Sequence, residues 1–270
     1  MNVSNRRVSP AVGKYLDDAR FSFSPGTAED ILRQAVIMLI MYAAYDLSRT
    51  FVKGREMAAM AHGIYFMNLE KALGIYWEPW IQGRVSEIEP LMPVLVWAYS
   101  NLHLPLIIGS LVWVFTQRRD SWTRIRNWFL AMNFMALIMF YLLPTAPPRM
   151  IFTSGIVDSA FLLGVRSEIF DNGILGNPYA AMPSLHFGYA LFIALILFTL
   201  AGRPWLRWGG FAYAVLVLVS IVATGNHFIV DAIAGGLVVL AAYVFAVNVQ
   251  AGGASKAAVS SAIPAQEPDG

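Results

Sequence analysis

The sequence predicts an all-α integral membrane protein: six transmembrane helices with an outer interfacial helix. Three observations carry this. Hydrophobic residues fill 57% of the 270 positions and charged residues only 13%, with mean hydropathy +0.57, whereas soluble domains run at roughly 45–50% apolar and about 25% charged. Apolar runs recur at the ~20-residue length that a helix needs to cross a bilayer. Histidine and aspartate, costly near a bilayer core, stand at the edges of two such runs, in Pro183-Ser184-Leu185-His186 and Thr224-Gly225-Asn226-His227-Phe228-Ile229-Val230-Asp231.

Taken in order, residues 1–30 carry Arg6, Arg7, Lys14, Asp17, Asp18 and Arg20 before any apolar run. That is too polar and too long for a signal peptide, so the first apolar segment stays as a helix. The six spans fall at 31–52, 91–116, 127–144, 185–201, 209–224 and 227–248, a membrane domain of 31–250. The fifth is short and the sixth begins at the second polar island, so a very tight turn joins them. Between the first two spans, residues 64–82 place Ile64, Tyr65, Phe66, Leu69, Leu73, Tyr76, Trp77 and Trp80 among Glu70, Lys71 and Glu78. That pattern reads either as a helix lying in the interface or as a connecting helix packed on the bundle. Residues 251–270, rich in Ala, Ser, Gly and Pro, read as a disordered tail.

Lys and Arg concentrate on the cytoplasmic side of membrane proteins. The most basic short loop is Gln117–Arg126, and Arg203 and Arg207 lie in another. Six spans put both loops on the side of the N-terminal charges and of Lys256, so both termini are expected in the cytoplasm. The stretches 53–90 and 145–184 and the turn at 224–226 then face the periplasm, the exterior or a lumen. Net charge is +2, which gives no footprint for nucleic acid. With no cysteine, disulfides, thiolate catalysis and Cys-based metal sites are excluded.

The same alternation brings three polar elements to one face. His186 opens the fourth span, the chain crosses and returns, and it arrives at His227; Arg149 follows the third span on that side. His227 and Asp231, at i and i+4, share one helical face, where a carboxylate can hold an imidazole in one tautomer. Phosphoryl transfer asks for cations around the equatorial oxygens, an in-line nucleophile and an acid for the leaving oxygen. Arg149 offers a fork matched to phosphate. One neutral imidazole can attack phosphorus and a second, protonated one can protonate the leaving group. Ser184 and backbone N–H groups at the start of the fourth span can hold phosphate oxygens, and Ser184 also suits an N-cap. Asn226 either contacts phosphate or serves the tight turn after Gly225.

Other polar residues have plainer readings. His103 and Asn101 lie within the second span and need interhelical partners, or help shape a headgroup pocket. Asp46 and Arg49 are spaced to pair with each other. Asp158, Arg166, Glu168 and Asp171 read as a solvated loop.

The set Pro183-Ser184-Leu185-His186 and His227-x-x-x-Asp231, with Arg149 upstream, resembles the type 2 phosphatidic acid phosphatase superfamily of lipid phosphatases and phosphotransferases. Ala180-Ala181-Met182-Pro183-Ser184-Leu185-His186 and Thr224-Gly225-Asn226-His227 look most like its inositol phosphorylceramide synthase branch. The likeness is specific from about Leu143 to Gly236. It implies that His227 is the nucleophile forming a phosphohistidine, Asp231 its orienting partner and His186 the general acid. Arg149, Ser184 and Asn226 would bind phosphate, at an active site on the outer membrane face, with no metal and no cofactor. Two departures stand out: the superfamily's usual lysine seven residues before the arginine is Leu142, and the arginine of its Ser-Arg pair is Ile221, although Ser220 fits. They read as subfamily character.

The expected function is therefore a membrane enzyme acting on a phosphorylated lipid or lipid phosphodiester. Water as acceptor would make it a phosphatase, and a polyol or sugar would make it a transferase, to which the synthase-like wording tilts the reading. The competing classes are a non-catalytic transporter or scaffold, and an intramembrane serine protease using Ser184 with His227.

Overall fold

The computed structural model describes residues 27–48, 50, 54–164 and 177–262. The N-terminal charges through Arg20, and Arg49, Arg166, Glu168 and Asp171, lie outside the described residues. Helix α1 is Ala28–Ser48, α2 Glu56–Leu73, α3 Glu78–Ser86, α4 Leu91–Asn101, α5 His103–Gln117, α6 Arg119–Leu142, α7 Ser159–Leu162, α8 Leu185–Leu200, α9 Pro204–Ala223 and α10 Ile229–Ala262. A single isolated bridge, Thr145 with Ala180, supplements the helices among the described residues.

Helices appear at all six expected positions, and the structure departs from the expectation in four places. The second span is broken: α4 and α5 meet at 47°. Pro105 explains the break, because it has no N–H for the carbonyl four residues earlier, Asn101, and its ring crowds that carbonyl. The expected basic loop at Gln117–Arg126 is mostly helix, since α6 starts at Arg119. Its charges serve packing: Arg119 pairs with Asp30 of α1, and Arg126 donates to Gln34 at 3.1 Å. The helix expected over 64–82 is two helices, α2 and α3, separated where Gly74 caps α2 with φ +70°. At the far end, α10 runs on to Ala262, into the stretch read as a tail.

By length and apolarity, three described helices can cross a membrane: α6, α9 and Ile229–Val249 of α10. The bent α4–α5 pair makes a fourth if it is one span, and α8 is a shorter apolar helix. Helix α8 packs most closely on α9, and α6 on α10. Trp128 anchors the centre: its ring meets Phe192 edge-on at 4.8 Å and Tyr243 at 5.0 Å, and its indole N–H donates to the Val239 carbonyl at 2.7 Å. Outward-facing side chains such as Leu39, Val112, Phe134, Val215, Leu237 and Phe245 are exposed and apolar. A continuous apolar surface of that kind needs a covering phase.

Candidate active site

The site begins at the reversal between α9 and α10. Thr224 Oγ1 donates back to the Ser220 carbonyl, and Gly225 follows with φ +72°. A Cβ there would lie 2.5 Å from Ile156 Cγ2, so both backbone and space require glycine. The Asn226 and His227 N–H groups then both donate to the Ile221 carbonyl, at 3.0 and 3.1 Å. This local closure sets His227 just ahead of α10.

His227 is buried, and its Nδ1 lies 2.8 Å from the Ala181 carbonyl oxygen. A carbonyl only accepts, so Nδ1 carries the hydrogen and Nε2 keeps the lone pair. Asp231 Oδ2 stands farther off, 3.5 Å from Nδ1, and accepts the Phe228 N–H at 2.9 Å. Ala181 is itself held: its N–H donates to the Thr145 carbonyl at 3.2 Å, while Thr145 N–H donates to Tyr179 at 2.7 Å. The imidazole is thus fixed by a loop about 46 positions away in sequence, with the carboxylate as its second neighbour.

His186 sits in the first turn of α8, which Ser184 caps by accepting the Phe187 N–H at 3.4 Å. Its ring is 5.8 Å from that of His227. On its other sides stand Tyr99 at 4.4 Å and His103 at 4.6 Å, placed there by the break between α4 and α5. Helices α8 and α10 meet closely, because Ser184 N–H donates to the Asp231 carbonyl at 2.9 Å. Gly235 permits this approach; a Cβ there would lie 2.3 Å from the Ser184 carbonyl oxygen.

Arg149 approaches from the loop after α6, its N–H bonded to the Gly225 carbonyl at 3.1 Å. One guanidinium nitrogen donates to Asn226 Oδ1 at 2.6 Å, and Nε faces Asp158 Oδ2 at 3.3 Å. Asn226 gives its Nδ2 hydrogen to Thr224 Oγ1 at 2.6 Å, so its oxygen is taken by Arg149 and its nitrogen by Thr224. Asp158, expected in a solvated loop, instead pairs with Arg149 and caps α7 through the Phe161 N–H. His227, Asp231, His186, Ser184, Arg149 and Asn226 thus converge on one end of the bundle. Asn101 is exposed and donates to Trp97 within its own helix.

The convergence has a counterpart in comparison with known proteins. Residues 64–245, more than half of the chain, match the PAP2 superfamily. The chain belongs to that superfamily. Comparison with curated proteins and with solved structures finds no match. PAP2 membership and the apolar helices together make it an integral membrane protein with phosphatase or phosphotransferase chemistry on phosphorylated substrates. Of the two PAP2 cations replaced here, Leu142 is exposed at the end of α6 and Ile221 is wholly buried in α9. Among the described residues, no group of three His, Asp or Glu is arranged to hold a metal.

Residues to which the sequence assigned no functional role also brace the loops around this candidate site. His62 Nδ1 donates to the Pro144 carbonyl at 2.7 Å, and Tyr76 OH donates to the Ser154 carbonyl. Gln82 accepts the Val157 N–H at 2.8 Å and donates to the Ala223 carbonyl at 2.8 Å, tying the Arg149 loop to the end of α9. Glu70 and Glu78 are wholly buried. The legible signal was polar residues within an apolar stretch, which admits an interfacial face equally well.

Proposed function

We propose that this protein is a membrane enzyme that cleaves a phosphoester or phosphodiester of a lipid through a phosphohistidine on His227. One observation carries the reading: Nδ1 is committed to a carbonyl, so Nε2 of a buried imidazole is left as the nucleophile beside a second histidine. Nε2 attacks phosphorus and the bond to the leaving oxygen breaks. The imidazolium of His186 gives that oxygen its proton. Water or an alcohol then attacks the phosphohistidine, neutral His186 takes the acceptor's proton, and His227 is restored. Arg149 neutralises the phosphoryl oxygens, and Asn226 acts through it by orienting the guanidinium. Ser184 and the α8 N-terminus supply further donors.

The same reading has six spans, both termini in the cytoplasm and the site on the opposite face. The inositol phosphorylceramide synthase-like wording around His186 and His227 favours headgroup transfer to a polyol or sugar over hydrolysis.

The test is purified protein in detergent with a panel of phosphorylated lipids and alcohol acceptors, following free phosphate and new lipid species, with His227→Ala as control. A new headgroup-bearing lipid that disappears in the variant supports transfer. Free phosphate alone makes it a lipid phosphatase. Neither product across the panel overturns the reading.

A further inference from the structure

Glu70 of α2 and Glu78 of α3 are both wholly buried, and each reaches the start of α10. The Val230 N–H donates to Glu70 Oε1 at 2.7 Å, and the Ile229 N–H donates to Glu78 Oε1 at 2.9 Å. The preceding N–H, of Phe228, is taken by Asp231 Oδ2. Three consecutive N–H groups immediately after His227 are therefore held by three different carboxyl groups. A helix N-terminus that would otherwise attract anions is already filled by the protein.

The second oxygens, Glu70 Oε2 and Glu78 Oε2, are buried with no hydrogen-bond partner, and the two carboxyl groups are neighbours, since their Oε1 atoms accept from consecutive N–H groups of α10. Two carboxyls can bond to each other only if one carries a proton, and one proton supplies the donor that both lack.

We propose that Glu70 and Glu78 form a singly protonated carboxyl pair that holds the first turn of α10, and with it the His227 ring, in register with Ala181 and His186. Both are positioning residues, and the inference rests on the reading of His227 as nucleophile. Burial, then the bond to Glu78, pushes the Glu70 carboxyl up to about 9. The groups facing it are Glu78 from α3, Asp231 from α10 and, between the helices, Tyr76, itself pushed up to about 12 chiefly by burial. Glu70 therefore stays neutral through the physiological range. Its raised value adds stability that is complete below the ordinary carboxylate range and is lost as pH rises towards about 9. Above that, two adjacent carboxylates repel and the start of α10 loosens.

The experiment measures kcat and KM from pH 6 to 10.5 on the phospholipid that the panel shows to be cleaved fastest, in detergent micelles. It compares wild type with Glu70→Ala, Glu70→Gln and Glu78→Ala. A misplacement of the nucleophile by about 1 Å costs up to 100-fold, so kcat should fall about 30–100-fold in either alanine variant, with KM within about twofold. Glu70→Gln, which keeps a donor towards Glu78, should recover at least tenfold of that loss and abolish the alkaline fall near pH 9. Should Glu70→Ala fail to fold, Glu70→Gln alone decides through its pH profile. Alanine variants with wild-type kcat, or an alkaline limb unmoved in Glu70→Gln, overturn the inference. Near-normal turnover in His227→Ala would instead sink the nucleophile reading, whatever the glutamates do.

Discussion

His227 has two neighbours of unequal weight: the Ala181 carbonyl at 2.8 Å and Asp231 at 3.5 Å. The i, i+4 spacing made the aspartate the obvious partner, and the carbonyl was invisible because it comes from a loop that only folding brings near. The ranking has a kinetic consequence. On the proposed mechanism His227→Ala removes the nucleophile and should take kcat to background, a loss of at least about 10⁴-fold on the scale of such groups. Asp231→Asn leaves the carbonyl to fix the tautomer and removes only charge support for the imidazolium, so kcat should fall about 10²-fold. Single-turnover trapping of phosphoenzyme checks this directly: none in His227→Ala, slow but complete in Asp231→Asn. Equal losses in both would make Asp231 the principal orienting group. Arg149 was legible as a cation after the third span, but its dependence on Asn226 and Asp158 was not, since those contacts cross the Gly225 turn.

At the level of elements, apolar length located the helices, because burial or lipid must cover each such run. It could not locate breaks inside a run. Pro105 splits the second span, and Gly74 splits the outer helix; both residues were in view, yet continuous hydrophobicity outweighed them. Pairwise approach was equally hidden, and Gly235 shows why. Its neighbour is the Ser184 backbone, 2.3 Å from where a Cβ would sit, and a backbone atom cannot rotate aside. Gly235→Ala should force α10 away from the start of α8, destabilising the protein by about 1–3 kcal/mol and separating His227 from His186. Gly209→Ala in α9 meets nothing within 4 Å and gains helix propensity worth up to about 1 kcal/mol, so it is the control. Melting temperature in detergent and kcat should both drop for the first, whereas the second should keep its kcat with a melting temperature equal to or above wild type. A Gly235→Ala protein with unchanged kcat would mean that the two helix ends are not required at this spacing.

Across the whole molecule, helix lengths bear on where the chemistry sits relative to the lipid. Helix α8 has 16 residues, about 24 Å at 1.5 Å per residue, against a hydrocarbon core of about 30 Å. In the proposed topology the turn after α8, with Arg203 and with Arg207 at the start of α9, lies at the cytoplasmic surface, and the other end of α8 falls short of the opposite surface. His186 and Ser184 would then lie a few ångströms inside the hydrocarbon boundary, within reach of a lipid phosphate with its chains still in the bilayer. The chain has no cysteine, so single introduced cysteines report this arrangement without background. Phe152, fully exposed beside the Arg149 loop, and Gly202, exposed between α8 and α9, lie at opposite ends of the bundle. In intact cells, Phe152→Cys should react with a membrane-impermeant maleimide, and Gly202→Cys only after permeabilisation. Labelling of both positions from one side would break the six-span topology, and the reverse pattern would put the site on the cytoplasmic face. Either result would change which lipids and acceptors the enzyme could meet.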